Sequence, residues 1–424
     1  MTRHSTSDKG TRSAPAIVGG CRTPFIKSNG AFATLISYEL GRFAVNALLD
    51  KTGLKADIVQ ALAMGTVISD PRTSNVAREV VLSSALPNTV PAHTVTMACI
   101  SSNMAATSIA DMIRLRHIEV GIAGGCETFS DPPIRVSRRV RMALAKASKA
   151  KGVGDYLRLL RTLSLADLRL DFPSPTEFST NETMGQGCER MAKQLGISRE
   201  ESDRFAQRSH ALAGKAWSEG KYDIDVVAVD VPPHFHKVSR DDGPRPNSTS
   251  ADLAKLKPAF DAEFGVVTAA SSSFFTDGAS AVLLMSDALC QKLSQKPLAH
   301  LIDYVYAASD PLHELLFGPA RTIPSLLERN GLKVADIDVW ELHEAFAAQV
   351  LANLKFLAPT IGEIPMDKLN LWGGSLSLGH PFGATGGRLL LTAAKRLEAE
   401  NGRFAVVSGC AAGGLGSAIL LERP

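Results

Sequence analysis

Gly373-Gly-Ser-Leu-Ser-Leu-Gly-His-Pro-Phe-Gly-Ala-Thr-Gly386, followed closely by Ser408-Gly-Cys-Ala-Ala-Gly-Gly-Leu-Gly416, carries more information than any other stretch of this chain. Each block holds one reactive side chain, His380 or Cys410, among glycines and small residues. Glycine lets the backbone approach a ligand closely and adopt φ > 0. Just upstream, His343 lies in Glu341-Leu-His-Glu-Ala-Phe346. One histidine near glycines is more often a plain loop residue. Two histidines and a cysteine in neighbouring blocks of this kind point instead to acid–base chemistry on a substrate held against backbone.

A fourth block lies far upstream, Thr94-Val-Thr-Met-Ala-Cys-Ile-Ser-Ser-Asn-Met-Ala-Ala-Thr107. A β-branched run ends at Cys99, and Ile100, Met104, Ile109, Met112 and Ile113 then recur on one helical face. Cys99 is therefore expected at a strand-to-helix turn. The N-terminus of a helix carries partial positive charge and unpaired N–H groups. Such a setting is expected to lower a thiol pKa and favour thiolate. The competing reading is a buried structural cysteine, since cysteine is among the most buried residue types.

The 424 residues leave room for two or three domains, and 45% apolar content suits sizeable cores. Cysteines stand at 21, 99, 126, 188, 290 and 410 with no CxxC spacing, which suggests neither a metal site nor a disulfide framework. Reduced thiols fit a cytoplasmic compartment, or the mitochondrial matrix if the source is eukaryotic. No run approaches the roughly 20 apolar residues of a membrane span. Residues 1–15 are polar and lack an apolar signal core, so they read as a disordered start. Net charge is +3, but from Arg135 to Arg169 ten Lys/Arg face two Asp/Glu, a local +8 that leaves −5 elsewhere. That segment reads as a solvated basic face, an amphipathic attachment to anionic lipid, or a docking surface for a partner subunit. Nucleic-acid binding is not expected, because no aromatic–basic interleaving or known module is present.

Along the chain, Ala16-Ile-Val-Gly-Gly, Val120–Thr128, Ala279–Met285, Ala299–Tyr306, Ile337–Leu342, Ala405–Ser408 and Ala418–Leu421 read as strands. Residues 37–50, 73–84, 135–170 and 182–220 read as helical, and 232–250 as loop. The apolar continuity of Ala279–Met285 suits the middle of a sheet covered on both faces. Ile122-Ala-Gly-Gly-Cys-Glu-Thr is weakly echoed by Val407-Ser-Gly-Cys-Ala-Ala-Gly-Gly. Periodicity alone supports an α/β fold.

Together the four blocks resemble the thiolase family, and the resemblance runs from about Ala16 to the C-terminus. The His380 and Cys410 blocks are highly specific to it. Most thiolases have asparagine where this chain has His343. His-Glu-Ala-Phe, with Trp372-Gly-Gly-Ser-Leu-Ser-Leu-Gly-His-Pro-Phe, looks like the subgroup that forms the β subunit of fatty-acid β-oxidation trifunctional complexes. The resemblance implies the thiolase fold: two similar α/β halves in layers around shared helices, with a mainly helical loop domain inserted. The first half would take 16–130 and 263–290, the insert 131–262, and the second half 291–424.

The resemblance also implies the chemistry. A 3-ketoacyl-CoA is cleaved with CoA to acetyl-CoA and a shortened acyl-CoA, and CoA is a co-substrate with no permanently bound cofactor. Cys99 matches the nucleophile that becomes acylated, His380 the histidine that activates it, and Cys410 the acid at the departing α carbon. The N–H groups of Cys99 and Ala412 match one oxyanion hole, and His343 with a water supports the other. Arg245 would approach the ADP moiety and Ser273 the pantetheine, with Met184, Phe260 and Phe346 along the channel. Ser271 stands where close relatives usually show asparagine. The implied assembly is a homodimer or tetramer, with a hydratase/dehydrogenase α subunit as a candidate partner. Two other readings share these residues: biosynthetic condensation to acetoacetyl-CoA, and a non-catalytic acyl-CoA-binding scaffold.

Overall fold

The computed structural model of the chain describes residues 14–172 and 176–424. The expected disordered start, 1–15, falls up to residue 13 outside the described residues.

One continuous sheet crosses the molecule, and it is built twice over. Its first half runs from the edge inwards as Ala92–Val95, Leu62–Gly65, Val120–Glu127, Thr276–Met285 and Ala16–Arg22. Its second half runs as Val339–Leu342, Phe404–Ala411, Leu415–Glu422 and Ala299–Ala308, with Leu369 bridged in parallel outside Trp340. With strands counted within each half, and Leu369 standing for the missing third, both halves read 3-2-4-5-1. The strand senses agree too. Each second strand is parallel to its fourth, and each fifth strand is antiparallel to its neighbours. The halves join where Ala16 and Ile17 pair with His300 and Ala299. The weak echo of Gly-Cys at 125–126 and 409–410 falls on the fourth strand of each half.

Alternation along each strand splits its side chains between two layers, as a period of two requires. In the first half, Ala16, Val18, Leu62 and Met64 face outwards onto helices Ser37–Thr52 and Val76–Ser83. Ile17, Ala63, Ala123, Val282 and Leu284 face inwards. In the second half, Trp340, Val406, Ala418 and Leu420 pack outwards with helices Gly318–Asn330 and Ala347–Ile361. Val339, Ala405, Val407, Ile419 and Leu421 face the same inner layer as the first half. That inner layer is two helices, Ser101–Arg114 and Thr385–Ala399, which contribute Ile109, Ile113, Leu390 and Leu397. Thr276–Met285 is buried at every residue, as its apolar run predicts.

The two inner helices meet at their N-termini. A Cβ on Gly386 would lie 1.8 Å from Asn103 Oδ1, so only glycine fits there. The Gly387 N–H donates to Ser102 Oγ at 2.9 Å, and Asn103 Nδ2 donates to Ser417 Oγ at 3.3 Å. The loops that lead into these two helices carry Cys99 and His380. The topology therefore brings together residues that are 281 apart in sequence.

Three segments differ from the sequence reading. Inside the expected loop 232–250, His236–Val238 pairs as a strand with Val229–Val231. Residues 182–220 form two helices, Met184–Leu195 and Arg199–Ser218, parted by Gly196 at φ 59. Capping boxes close both starts, Thr183 with Gln186 and Ser198 with Glu201. Residues 135–170 are not one helical stretch. Helices Arg138–Ala147 and Val153–Leu160 are separated at Gly152, and Arg135–Val136 pairs with Leu170–Asp171. Most apolar residues at helical spacing there are not buried. Val140 and Ala143 are covered, whereas Leu144, Leu157, Leu165 and Leu168 are exposed.

Candidate active site

Cys99 sits in a tight turn between strand Ala92–Val95 and helix Ser101–Arg114. Ala98 takes a left-handed conformation, φ 46, and Ser101 Oγ holds the turn by accepting from Met97 N at 2.8 Å and donating to Ala98 O at 2.7 Å. The backbone N–H groups of Ala412 and of Cys99 itself lie near the sulfur and favour its thiolate. The expected low pKa is not what this setting produces. Burial pushes the thiol up to about 12, and the Glu127 and Glu177 carboxylates add to the rise. The reason is geometric. Helical conformation begins only at Ser101, so Cys99 lies ahead of the dipole's end, and the side chain is shut off from water. At rest the group is a neutral thiol that needs a base.

Two imidazoles face it. Ligand atoms of Cys99, His343 and His380 lie within 4.8 Å of one another. The imidazoles stand 4.1 Å apart between centroids, tilted by 42°. Each ring is anchored through Nδ1, His343 to Ser375 Oγ at 3.0 Å and His380 to Thr385 Oγ1 at 2.6 Å. Each leaves a buried Nε2 without a partner among the described residues. Thr385 Oγ1 also donates to the Pro381 carbonyl at 3.0 Å. Its single hydrogen is then spent, so it accepts from His380 Nδ1–H, and His380 Nε2 carries a lone pair. Burial lowers the pKa of both rings, His343 to about 3 and His380 well below its ordinary value, and the Arg388 guanidinium pushes in the same direction.

Cys410 is the last residue but one of strand Phe404–Ala411, close to Cys99, and the His343 N–H donates to Ser408 O at 2.8 Å on that strand. Burial and the neighbouring Cys99 raise its thiol pKa strongly. The His380 loop is fastened from behind by Glu127. Its carboxylate accepts from Gly383 N at 2.9 Å, Ile68 N at 2.9 Å and Val67 N at 3.0 Å. Burial nevertheless pushes this carboxyl up to about 7. Glu344 fastens the preceding turn, accepting from Ser209 Oγ at 2.7 Å and Asn370 Nδ2 at 2.7 Å. A neutral thiol, an unprotonated Nε2, a second imidazole and a second thiol in one dry site can make, hold and protonate a carbon nucleophile.

Comparison with known proteins agrees with this chemistry. The thiolase N-terminal domain family matches residues 15–288 and the thiolase C-terminal domain family residues 295–423. The chain belongs to the thiolase family. It is 46% identical over 418 residues to the mitochondrial trifunctional enzyme subunit beta of Mus musculus, covering 96% of this chain and 87% of that one. It is 42% identical to a 3-ketoacyl-CoA thiolase of Colwellia psychrerythraea strain 34H, covering 96% of each. A crystal structure of Bacillus anthracis acetyl-CoA acetyltransferase superposes with a TM-score of 0.86 at 30% identity, covering 97% of this chain and 98% of that one.

The other residues expected to contact substrate in this thiolase are spread more widely. Met184 starts its helix against the core beside Phe346, which is buried and bridged through its backbone to Ser272. Phe260 lies flat on Gly185, where a Cβ would come within 2.1 Å of the ring. Ser273 N donates to Ala345 O at 2.9 Å, beside His343. Arg245 is exposed, and among the described residues its guanidinium donates to the Asp242 and Gly243 carbonyls at 3.3 and 3.2 Å. Ser271 is buried, and its hydroxyl accepts from Thr268 N at 2.8 Å, closing the turn that leads to Phe346. Sequence reasoning passed over Ser375, Thr385, Arg388, Glu127 and Glu344. Ser375 and Thr385 lay inside the quoted glycine block, where they read as small spacers.

The buried imidazoles of this thiolase make its stability depend on pH. His210, pushed down to about 4, joins His343, at about 3, and His380 in remaining neutral when folded. The unfolded chain binds a proton at each below about pH 6.5. The share of stability held by these histidines is therefore full above pH 6.5 and falls as the pH drops towards the folded values, by about 1.4 kcal/mol per pH unit per histidine. Glu127, raised to about 7 in the fold, takes up a proton over the same range and offsets part of the loss. Tm measured from pH 7.5 to pH 5 should fall progressively, with a shallower slope for His343→Asn. A pH-independent Tm would contradict this account.

Proposed function

We propose that this thiolase cleaves 3-ketoacyl-CoA in fatty-acid β-oxidation through an acyl-Cys99 intermediate. The observation that carries the reading is a thiol within reach of two imidazoles whose Nε2 atoms are buried and unpartnered. His380 Nε2 takes the Cys99 proton as Sγ bonds to the keto carbon, and the N–H groups of Cys99 and Ala412 receive the oxyanion. The bond between the α and β carbons then breaks. Its electron pair becomes an enolate whose oxygen faces His343 and His380, and the Cys410 thiol protonates the α carbon to give acetyl-CoA. The Cys410 thiolate next removes the proton of incoming CoA, whose sulfur displaces Cys99 from the acyl group. His380 returns its proton to the Cys99 sulfur.

Condensation of two acetyl-CoA molecules is the same path read backwards, and metabolite levels set its direction. Similarity to a 3-ketoacyl-CoA thiolase favours thiolysis. Similarity to a chain called subunit beta supports a partner subunit, to which we assign the hydratase and dehydrogenase activities. The exposed basic and apolar face at 135–169 is the surface we assign to that subunit or to an anionic membrane. Among the described residues no helix is long and apolar enough to cross a membrane. We place the reaction in the cytoplasm, or in the mitochondrial matrix of a eukaryotic source, as a homodimer or tetramer with CoA as co-substrate and no resident cofactor. Arg245, Ser273, Met184, Phe260 and Phe346 remain our assignment for the CoA and acyl path.

Intact-protein mass after mixing with 3-ketohexadecanoyl-CoA tests the reading. A tetradecanoyl adduct on Cys99 that CoA then clears is the expected result. An adduct only with acetoacetyl-CoA would shift the enzyme to short chains, and no adduct with either would overturn the proposal.

A further inference from the structure

We infer that Ser375, held by Arg388, is a positioning residue that fixes the hydrogen of His343 on Nε2, the tautomer opposite to that of His380. One of the two stacked rings is thereby a hydrogen-bond donor to the site and the other a base. The inference rests on the reading of His343 as a support for the enolate oxygen.

The argument is an accounting of hydrogens. Arg388 is 1% exposed, and its Nη2 donates to Ser375 Oγ at 3.1 Å. A guanidinium has donors only, so Ser375 must accept from it. The hydroxyl's own hydrogen is left for a second partner. His343 Nδ1, at 3.0 Å, is the only other partner of this oxygen among the described residues. A hydroxyl that donates to Nδ1 needs a lone pair there, and a neutral imidazole with a lone pair on Nδ1 carries its hydrogen on Nε2. His380 has the reverse arrangement, because the Thr385 hydrogen goes to the Pro381 carbonyl. Arg388 is itself tied to the strand that carries His343. Its Nη1 lies 3.8 Å from Glu341 Oε2, and Glu341 Oε1 accepts from Arg396 at 2.8 Å.

The device answers a need created by histidine at this position. An asparagine amide presents donors on one fixed atom whatever surrounds it. An imidazole offers the site a donor or an acceptor according to its tautomer, so something outside the ring has to choose. An Nε2 lone pair on His343 would repel the enolate oxygen that an Nε2–H stabilises.

A double-mutant cycle tests this. Ser375→Ala and His343→Asn are made singly and together, and kcat and KM are measured with 3-ketohexadecanoyl-CoA and CoA. Ser375→Ala should lower kcat about 10- to 100-fold, the range that one buried hydrogen bond spans, with little change in KM. In the His343→Asn background the same substitution should cost no more than about threefold, because the amide does not depend on the serine for its donor. Equal losses in both backgrounds, a loss confined to KM, or no loss at all would overturn the inference. Near-normal turnover of His343→Ala would instead overturn the reading of His343 on which it rests, whereas an impaired His343→Ala with an uncoupled cycle removes the tautomer assignment alone. If Ser375→Ala does not fold, Ser375→Cys, with a weak donor of similar size, replaces it in the cycle.

Discussion

Cys99→Ser should lower kcat by about 10⁴-fold or more while CoA affinity and thermal unfolding stay near those of the parent protein. Loss of the nucleophile itself has cost on the order of 10⁶-fold in kcat elsewhere. Oxygen for sulfur is nearly isosteric, so the turn held by Ser101 and the Ala98 conformation have no reason to change. The chemistry does change. The Cys99 thiol is already pushed up to about 12 by burial, and a hydroxyl in the same place is harder still to deprotonate. Isothermal titration with CoA and steady-state kinetics on one preparation separate binding from turnover. Retained turnover would show that the acyl group is not carried on this residue, and the covalent reading would fall with it.

His380→Ala should cost about 10²- to 10⁴-fold in kcat/KM, the range for a positioned general base. Its pH profile is the more telling readout. In the parent enzyme His380 is held well below its ordinary pKa, so it is already unprotonated at pH 6, and activity should not drop on the acid side of neutrality as it would for an exposed histidine. With the base removed, only the small thiolate fraction of a thiol near pKa 12 reacts, and the rate should then climb about tenfold per pH unit through the range where the protein stays folded. A variant with a flat alkaline profile would show that His380 is not the group that takes the Cys99 proton. Thr385→Val should move the same way more weakly, since it removes the anchor that keeps the lone pair on Nε2.

His380 and Cys410 stood out in the sequence because each lies in a block whose glycines have steric reasons to be there. Gly386 leaves room for Asn103, and Gly374 leaves room for Glu344, whose Cδ a Cβ would meet at 2.1 Å. Strand Thr276–Met285 was legible because a strand covered on both faces has no polar positions to blur its pattern. The 135–170 segment was legible as helical but not as two helices and a strand pair, because helical spacing does not show where Gly152 breaks the run, and most of its apolar residues face solvent. The Cys99 pKa was read with the wrong sign, because a dipole argument made along the chain cannot see how completely two halves of the molecule enclose the sulfur. The supports Ser375, Arg388 and Glu127 escaped for a related reason. Their meaning lies in a hydrogen-bond partner distant in sequence, such as Gly383 for Glu127, 256 residues on.

Cys99 and Glu127 belong to the first half of the sheet, and His343, His380 and Cys410 to the second. The reacting groups therefore straddle a seam, zipped shut where the two inner helices abut through Asn103 and Gly386. The two halves share that seam, through the pairing of Ala16 and Ile17 with His300 and Ala299 and through one common inner layer. Neither half alone holds both a nucleophile and its base, so turnover reports that both halves have formed and joined.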